Sequence, residues 1–415
     1  MPFTGQDGTD SSMPERSADD RDTGMDCIVQ VAGRAAPARA RPSLDGHPLD
    51  FDVQGTRGWS YPVLVGPGRL RELGERLPPS ATARAFVLTD SRVRRLHGER
   101  IAQGLRRAGQ EPYWLVVKPG ETSKTLPSCA RLLDGLARAE CDRRALLLCF
   151  GGGVISDLGG LLASLYMRGI AYANVPTTLV GQLDAAVGGK VAVNLPQAKN
   201  LVGAFWHPRF VLDDTDLLAT LEPRDLRAGL AEGLKVALIS GGPCLHLFQH
   251  EREALLARDP GTLARLVALA AGAKMDLIAR DPFEDDLRRP LNFGHTLGHP
   301  LETAARYRGL RHGEAVAVGM AVATLIARAE GLIAADEAGQ LLALLDGCGL
   351  LDLGVRPRPA SVLHALRYVR LVRGRALHFV LPRRLGEVVI VDELPEAVIQ
   401  RGFADYARLL RARRR

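Results

Sequence analysis

Apolar and polar positions follow two rhythms along this chain. From about Trp59 to about Leu217, short continuous apolar runs alternate with amphipathic stretches. YPVLVG (61–66) reads as a strand and GRLRELGERL (68–77) as a helix. ARAFVLTD (83–90) is the next strand, followed by a helix through Leu105, and PYWLVV (112–117) and ALLLCF (145–150) are further strands. Strands alternating with helices predict a parallel sheet with crossover helices. Past Leu217 the period lengthens: DLRAGLAEGLKVALI, TLARLVALAAGAKMDLIA and GEAVAVGMAVATLIARAEG carry apolar residues at helical spacing. The second half is therefore predicted to be mostly helical, with LHFVLP and EVVIVDEL as a late hairpin. No internal repeat is visible. Residues 1–57 are rich in Asp, Ser, Gly, Pro and Arg without apolar periodicity, and read as a disordered extension.

Composition narrows the function classes. The 415 residues suit two domains, and 46% hydrophobic with 24% charged residues is a soluble globular profile. No apolar run approaches the ~20 residues of a membrane span, and no secretory signal pattern opens the chain. The net charge is +7, part of it in the terminal ARLLRARRR. That tail reads as solvated surface rather than a nucleic-acid site, while a basic balance suits an anionic substrate. Six scattered cysteines without a CxxC pair exclude a disulfide framework or thiolate zinc site and fit a reducing cytoplasm.

Candidate chemistry gathers at two places. FGGGVISDLGG (150–160) follows a buried strand and opens a helix, where glycines let backbone N–H groups approach a pyrophosphate. Asp90 ends the strand ARAFVLTD, where a carboxylate can accept ribose hydroxyls. The loop PGETSKT adds Glu121 and Lys124. The second place is RPLNFGHTLGHPLE (289–302) with the following HGEAVAVGM. His295 and His299 are four apart, so spacing alone makes both of them metal ligands. His312 starts the next helix, and Glu232, a carboxylate on an apolar helix face, is a further ligand candidate. Lys190, Lys199, Asn200, Lys235, Lys274 and Arg288 stand in apolar or glycine-rich surroundings, where a cation needs an anionic partner.

Together these motifs resemble the 3-dehydroquinate synthase branch of the sugar phosphate cyclases. GGGVISDLGG, MRGIAYANVPTTLVGQLDAAVGGKVAVN, KNLVGAF, GLAEGLK, RPLNFGHTLGHPLE and HGEAVAVGM occur in family order between about residues 59 and 350. The resemblance implies an α/β fold: a Rossmann-like NAD-binding domain over 58–217 and a mostly α-helical metal- and substrate-binding domain over 218–415, with the active site between them. It implies that Glu232, His295 and His312 hold a zinc or cobalt ion, which moves His299 from the metal to the substrate phosphate. NAD would be held by Asp90, Glu121, Lys124, Gly151, Gly152, Gly153, Asp157, Thr177, Thr178 and Lys199. An anionic sugar phosphate would meet Asp184, Lys190, Asn200, Lys235, Lys274, Arg288, Asn292 and His299. Arg168 would reach a neighbouring phosphate site across a homodimer interface.

One stretch departs from the family pattern. Members typically carry Asp-Lys-Lys ahead of a glycine and a final Phe-Val-Leu strand, whereas here Tyr368-Val369-Arg370 precedes Gly374 and FVLP. The usual second lysine helps bind phosphate, and arginine is not its equivalent. Three readings therefore stay open beside dehydroquinate formation: a cyclase of secondary metabolism (aminodehydroquinate, valiolone-type or deoxyinosose-type), a metal-dependent polyol dehydrogenase, and a non-catalytic homologue.

Overall fold

The structure is a computed structural model that describes residues 60–78, 84–196, 199–280, 289–305, 309–355, 357–372 and 377–413. The extension at 1–57, Arg288, Arg373 and Gly374 lie outside the described residues, as do the side chains of Tyr368, Val369 and Arg370.

Six strands build a wholly parallel sheet: β1 (Val63–Gly66), β2 (Arg84–Asp90), β3 (Glu111–Val117), β4 (Leu146–Gly151), β5 (Ala171–Pro176) and β8 (Val211–Asp214), in the order β1-β8-β5-β4-β2-β3. Between β5 and β8 a small antiparallel pair, β6 (Lys190–Val193) and β7 (Val202–Phe205), stands apart. β4 is buried at every position, because helices cover both faces of the sheet. On one face Phe86, Leu88, Leu147 and Cys149 pack with α2 (Leu126–Arg138) and α3 (Gly153–Leu165). On the other, Val87, Leu148 and Phe150 pack with α1 (Ser91–Arg107). The four strands foreseen from apolar runs are all present. The helix expected at 68–77 is a 3-10 helix, Arg69–Arg76, whose first turn is tied to the end of β8 because the Asp214 carboxylate accepts from Gly68 N and Leu70 N, both at 2.9 Å.

The strand order creates a crevice. From β2 the chain steps outward to β3, then crosses back to β4 on the other flank of β2. The connections leaving β2 and β4 diverge, opening a gap above their carboxyl ends, where open α/β sheets receive ligands. Asp90 and Gly151 end these two strands.

Beyond β8 the chain is helical: α4 (Pro223–Ser240), α5 (Gly242–His250), α6 (Arg252–Ala257), α7 (Pro260–Arg280), α8 (His295–Ala304), α9 (His312–Ala329), α10 (Ala335–Gly347), α11 (Pro359–Val372) and α12 (Glu396–Ala412). The hairpin expected late in the chain is β9 (Phe379–Arg384) with β10 (Glu387–Val391). α9 is buried all round from Gly313 to Ala327 and forms the central rod against which α4, α8, α10 and α12 pack. The same core takes in Tyr61, Val63, Val65 and Val211, so the helices close directly onto the β1–β8 edge of the sheet. Among the described residues no helix is long and apolar enough to cross a membrane. The five cysteines that are described, Cys129, Cys141, Cys149, Cys244 and Cys348, are free and buried.

Candidate active site

Three helices meet backbone to backbone at the histidine cluster. A Cβ added to Gly313 at the start of α9 would lie 1.8 Å from the Ala228 carbonyl oxygen of α4. One added to Gly319 would lie 2.0 Å from the carbonyl oxygen of Gly294, which precedes α8. Only glycine permits this approach, and it brings Glu232 of α4, His295 and His299 of α8, and His312 of α9 to one point. Arg311 N donates to Glu314 Oε2 at 2.8 Å, which pins the first turn of α9 where His312 sits.

The imidazole centroids lie 5.0 Å (His295–His299), 5.2 Å (His295–His312) and 5.5 Å (His299–His312) apart. One ring nitrogen from each falls within 4.8 Å of the others. Glu232 is 1% exposed, and its Oε1 makes no hydrogen bond. That oxygen lies 3.3 Å from His312 Nε2 and 3.6 Å from His295 Nε2. A buried carboxylate oxygen without a hydrogen bond, facing two imidazole nitrogens, has the chemistry of a divalent cation site. Geometry thus unites all four groups and does not separate His299 from the set.

Charge balance explains how so many ionisable groups share this pocket. Lys235 Nζ, 2% exposed, stands 2.7 Å from Glu232 Oε2. Lys274 Nζ stands 2.7 Å from Asp184 Oδ1 and also donates to the Asp184 carbonyl. Asp184 lies on a π-helical turn, Gly181–Ala185, a distortion frequent at functional sites. Burial would raise both carboxyls; for Asp184 the ammonium groups of Lys274 and Lys235 win, and for Glu232 Lys235 and His295 win, so both stay well below the usual carboxylate range. Burial, aided by Lys235, lowers His295 to about 4. Burial and the other two imidazoles hold His299 well below its ordinary value. For His312 burial is outweighed by Glu302 and Glu232, which push it up to about 9.

These shifts predict a proton count. At pH 7–8 His295 is already neutral while His312 keeps its proton, so a metal binding here must displace about one proton. Calorimetric metal titrations in buffers of different ionisation enthalpy are expected to show that release. Apparent affinity should rise about tenfold per pH unit up to pH about 9 and level off above it. Binding independent of pH over 7–9 would place the metal elsewhere.

The sheet side presents a second cluster. Gly152 caps α3 without a side-chain hydrogen bond and its carbonyl accepts from Ile155 N at 2.8 Å, so the N–H groups of the first two helical positions, Gly153 and Val154, are the ones that face a ligand. A Cβ on Gly151 would lie 2.5 Å from Ile155 Cγ1, and one on Gly153 2.9 Å from Ala185 Cβ, so this turn is packed as closely as glycine allows. Thr178 Oγ1 accepts from Gly181 N at 3.1 Å, and buried Thr177 Oγ1 has no hydrogen-bond partner. Asp90 caps α1: its Oδ1 accepts from Arg92 N at 2.8 Å and Val93 N at 2.9 Å. Lys124, buried, donates to Asp157 and to Asn200 Oδ1. Asn200 adopts the left-handed conformation (φ 54), which asparagine tolerates, and its N–H donates to Asn194 Oδ1 at 3.0 Å. Asn194 Nδ2 in turn donates to Glu121 Oε1 at 2.7 Å.

Glu302 and Asn194 are site residues that the sequence reading missed. Glu302, 3% exposed, accepts from His312 Nδ1 at 3.0 Å and from Lys199 Nζ at 2.8 Å, joining the histidine cluster to the sheet side. Its signal was its place seven residues after His295, on the same face of α8. Asn292 precedes α8 and is half-buried. Lys190 starts β6 and is exposed. Arg168 is exposed on a turn where Met167 (φ 49) and Arg168 (φ 62) are both left-handed, beside exposed Leu165 and Met167.

Comparison with known proteins identifies the family. The family model for the 3-dehydroquinate synthase N-terminal region matches residues 114–228, and that for its C-terminal region matches 229–366. A 2-epi-valiolone synthase of Actinosynnema mirum is 42% identical over 86% of this chain and 94% of its own length. A 3-dehydroquinate synthase of Pelotomaculum thermopropionicum is 41% identical over 81% and 91%. Among solved structures, the 2-epi-5-epi-valiolone synthase of Streptomyces hygroscopicus with NAD+ and Zn2+ bound matches at TM-score 0.78 and 32% identity, covering 86% of this chain and 99% of that one. A glycerol dehydrogenase of Schizosaccharomyces pombe, at TM-score 0.59 and 18% identity, shares the fold alone. With the two family models matching consecutive stretches that together span 114–366, and relatives above 40% identity across most of its length, this chain belongs to the 3-dehydroquinate synthase family of sugar phosphate cyclases.

Proposed function

We propose that this protein cyclises a 3-deoxy-heptulosonate 7-phosphate-type substrate to 3-dehydroquinate or a close analogue, eliminating phosphate. The observation that carries the reading is the convergence of Glu232, His295, His299 and His312 with two buried lysine–carboxylate pairs. Glu232, His295 and His312 hold a zinc or cobalt ion, which supplies Lewis-acid polarisation of substrate oxygens. Asp90, Glu121, Lys124, Gly151, Gly152, Gly153, Asp157, Thr177, Thr178 and Lys199 hold NAD, which supplies a reversible hydride acceptor. The orphaned Glu232 Oε1 supports the first assignment, and the uncapped start of α3 with the unpartnered Thr177 Oγ1 supports the second.

The remaining work falls to the side chains. Asp184, held as an anion by Lys274 and Lys235, accepts a substrate hydroxyl and orients the ring. A transient ring ketone, formed by hydride loss to the bound cofactor and reduced again by the same hydride after phosphate has left, would acidify the neighbouring C–H, and the leaving phosphate can itself take that proton. Lys190, Asn200, Arg288, Asn292 and His299 bind the phosphate, and Arg168 adds a charge from a partner subunit. Their fixed positive field favours the departing anion over the intact ester. Lys235 and Lys274 also stabilise enolate charge before the ring opens and recloses by an intramolecular aldol step. The exposed apolar side chains Leu165 and Met167 beside Arg168 support a homodimer.

A second reading, cyclisation of a heptulose 7-phosphate without a carboxylate, is favoured by the 42% identical 2-epi-valiolone synthase and by the Tyr368-Val369-Arg370 departure. The two readings differ in whether the substrate carries a carboxylate. Incubation with NAD, metal and either 3-deoxy-arabino-heptulosonate 7-phosphate or sedoheptulose 7-phosphate separates them by which one releases phosphate. Net NADH without phosphate release would sink both and leave a polyol dehydrogenase. A narrower check concerns the cofactor. Asp90→Asn keeps the α1 cap but removes the charge offered to a ribose, so NAD should bind about tenfold more weakly at unchanged melting temperature. A lowered melting temperature with intact NAD affinity would make Asp90 a helix cap only.

A further inference from the structure

Resting on that functional reading, we infer that Glu302 is a positioning residue that makes metal and dinucleotide binding cooperative. Its carboxylate is 3% exposed, and its two oxygens serve different sites. Oε2 meets His312 Nδ1 at 3.0 Å, while His312 Nε2 faces Glu232 Oε1 at 3.3 Å. Oε1 meets Lys199 Nζ at 2.8 Å, and that ammonium also stands 3.5 Å from Glu121 Oε1. One rigid group, enclosed by protein, therefore has one oxygen on the metal cluster and the other on the nicotinamide-dinucleotide side.

The coupling follows from how a buried carboxylate is held. It stays in a dry site only while both oxygens are matched by donors or cations. A metal on His312 Nε2 fixes the ring and its tautomer, and Nδ1–H then fixes the plane of Glu302. With that plane set, Oε1 holds Lys199 and, through it, Glu121 in one arrangement. The dinucleotide then meets a loop that is already ordered, so less conformational freedom is lost on its binding. Linkage requires the reverse effect to be equal: bound dinucleotide must tighten the metal by the same factor.

The experiment titrates NAD calorimetrically into the full-length protein with and without zinc, and zinc with and without NAD. In the unmodified protein each ligand is expected to tighten the other by about tenfold, within the usual range of coupling between sites. In Glu302→Gln both ligands still bind, but the ratio falls to near one. Lys199→Met, at a half-buried position, cuts the other end of the bridge and gives the same loss of ratio if Glu302→Gln fails to fold. Loading with cobalt adds a readout that a merely structural carboxylate would not move. The visible absorption of the bound cobalt should shift on adding NAD in the unmodified protein and stay still in Glu302→Gln. Binding of both ligands without linkage, or a wild-type ratio in the two variants, overturns the inference while leaving the functional reading intact. A protein that binds neither NAD nor zinc overturns both.

Discussion

Replacing Glu232 by Gln is expected to weaken metal binding by more than about 100-fold and to destabilise the metal-free protein at the same time. The first effect follows from the ligand set: perturbing groups outside the ligands already costs 10–100-fold in comparable sites, and among the described residues Glu232 supplies the carboxylate that lies against both His295 and His312. The second effect has a separate cause. Lys235 is 2% exposed and stands 2.7 Å from the Glu232 carboxylate. Removing the anion leaves a buried ammonium with Asp184 as its remaining counter-charge, and breaking such a pair typically costs about 3–5 kcal/mol. Zinc content after dialysis and thermal unfolding with excess chelator measure the two effects separately. A Glu232→Gln protein that keeps one tightly held zinc and its melting temperature would show that the histidines bind metal without this carboxylate.

Among the described glycines, Gly313→Ala is expected to be the most damaging added methyl group. The new Cβ would fall 1.8 Å from the Ala228 carbonyl oxygen, about half the ordinary contact distance between heavy atoms. The obstacle is backbone of a buried helix and cannot rotate away. α9 must then move from α4 by more than 1 Å, roughly, with an overpacking cost at or above the usual ~1–3 kcal/mol. His312 is the neighbouring residue, so the shift separates it from Glu232, and a misplacement near 1 Å is worth about 100-fold in a positioned site. Gly339→Ala is the matching control. That helical glycine on α10 is exposed and has nothing within 4 Å of an added Cβ. It should stabilise by roughly 0.5–1 kcal/mol and leave metal affinity unchanged. Equal behaviour of the two variants in melting temperature and zinc binding would contradict the packing argument.

Much of the scaffold was legible because its signals are local. Apolar runs such as ALLLCF name a strand buried on both faces, and the helical period of GEAVAVGMAVATLIARAEG names α9. β6 and β7 were not named, since VGAF carries half-buried and exposed positions in turn and no strong run. The helix at 68–77 was legible as a helix, yet its 3-10 form follows from a carboxylate 144 and 146 residues away that holds Gly68 and Leu70. Within the site, His295, His299 and His312 stood out by density and spacing. Glu302 did not: a glutamate after LGHPL looks like any amphipathic helix residue until His312 and Lys199 arrive from distant segments.

The sequence by itself determined the fold class, the family motifs and the inventory of chemistry: a glycine-rich turn after a buried strand, clustered imidazoles, and lysines among apolar neighbours. These depend on residue type and spacing within about one element, which the chain order preserves. The tertiary structure decided which of those groups share a space. Glu232 lies 63 residues from His295 and 80 from His312, and Glu302 lies 103 from Lys199, separations that no local period encodes. Backbone contact at Gly313 and Gly319 brings the helices close enough for these charges to meet. Burial then makes each depend on its partner, as the opposite shifts of His295 and His312 show. The spacing of His295 and His299 promised a two-histidine metal pair on one helix. In three dimensions that pair stays together and is joined by Glu232 and His312 from two other helices, because a low-dielectric pocket holds several ionisable groups only when opposite charges are delivered to it from different parts of the chain.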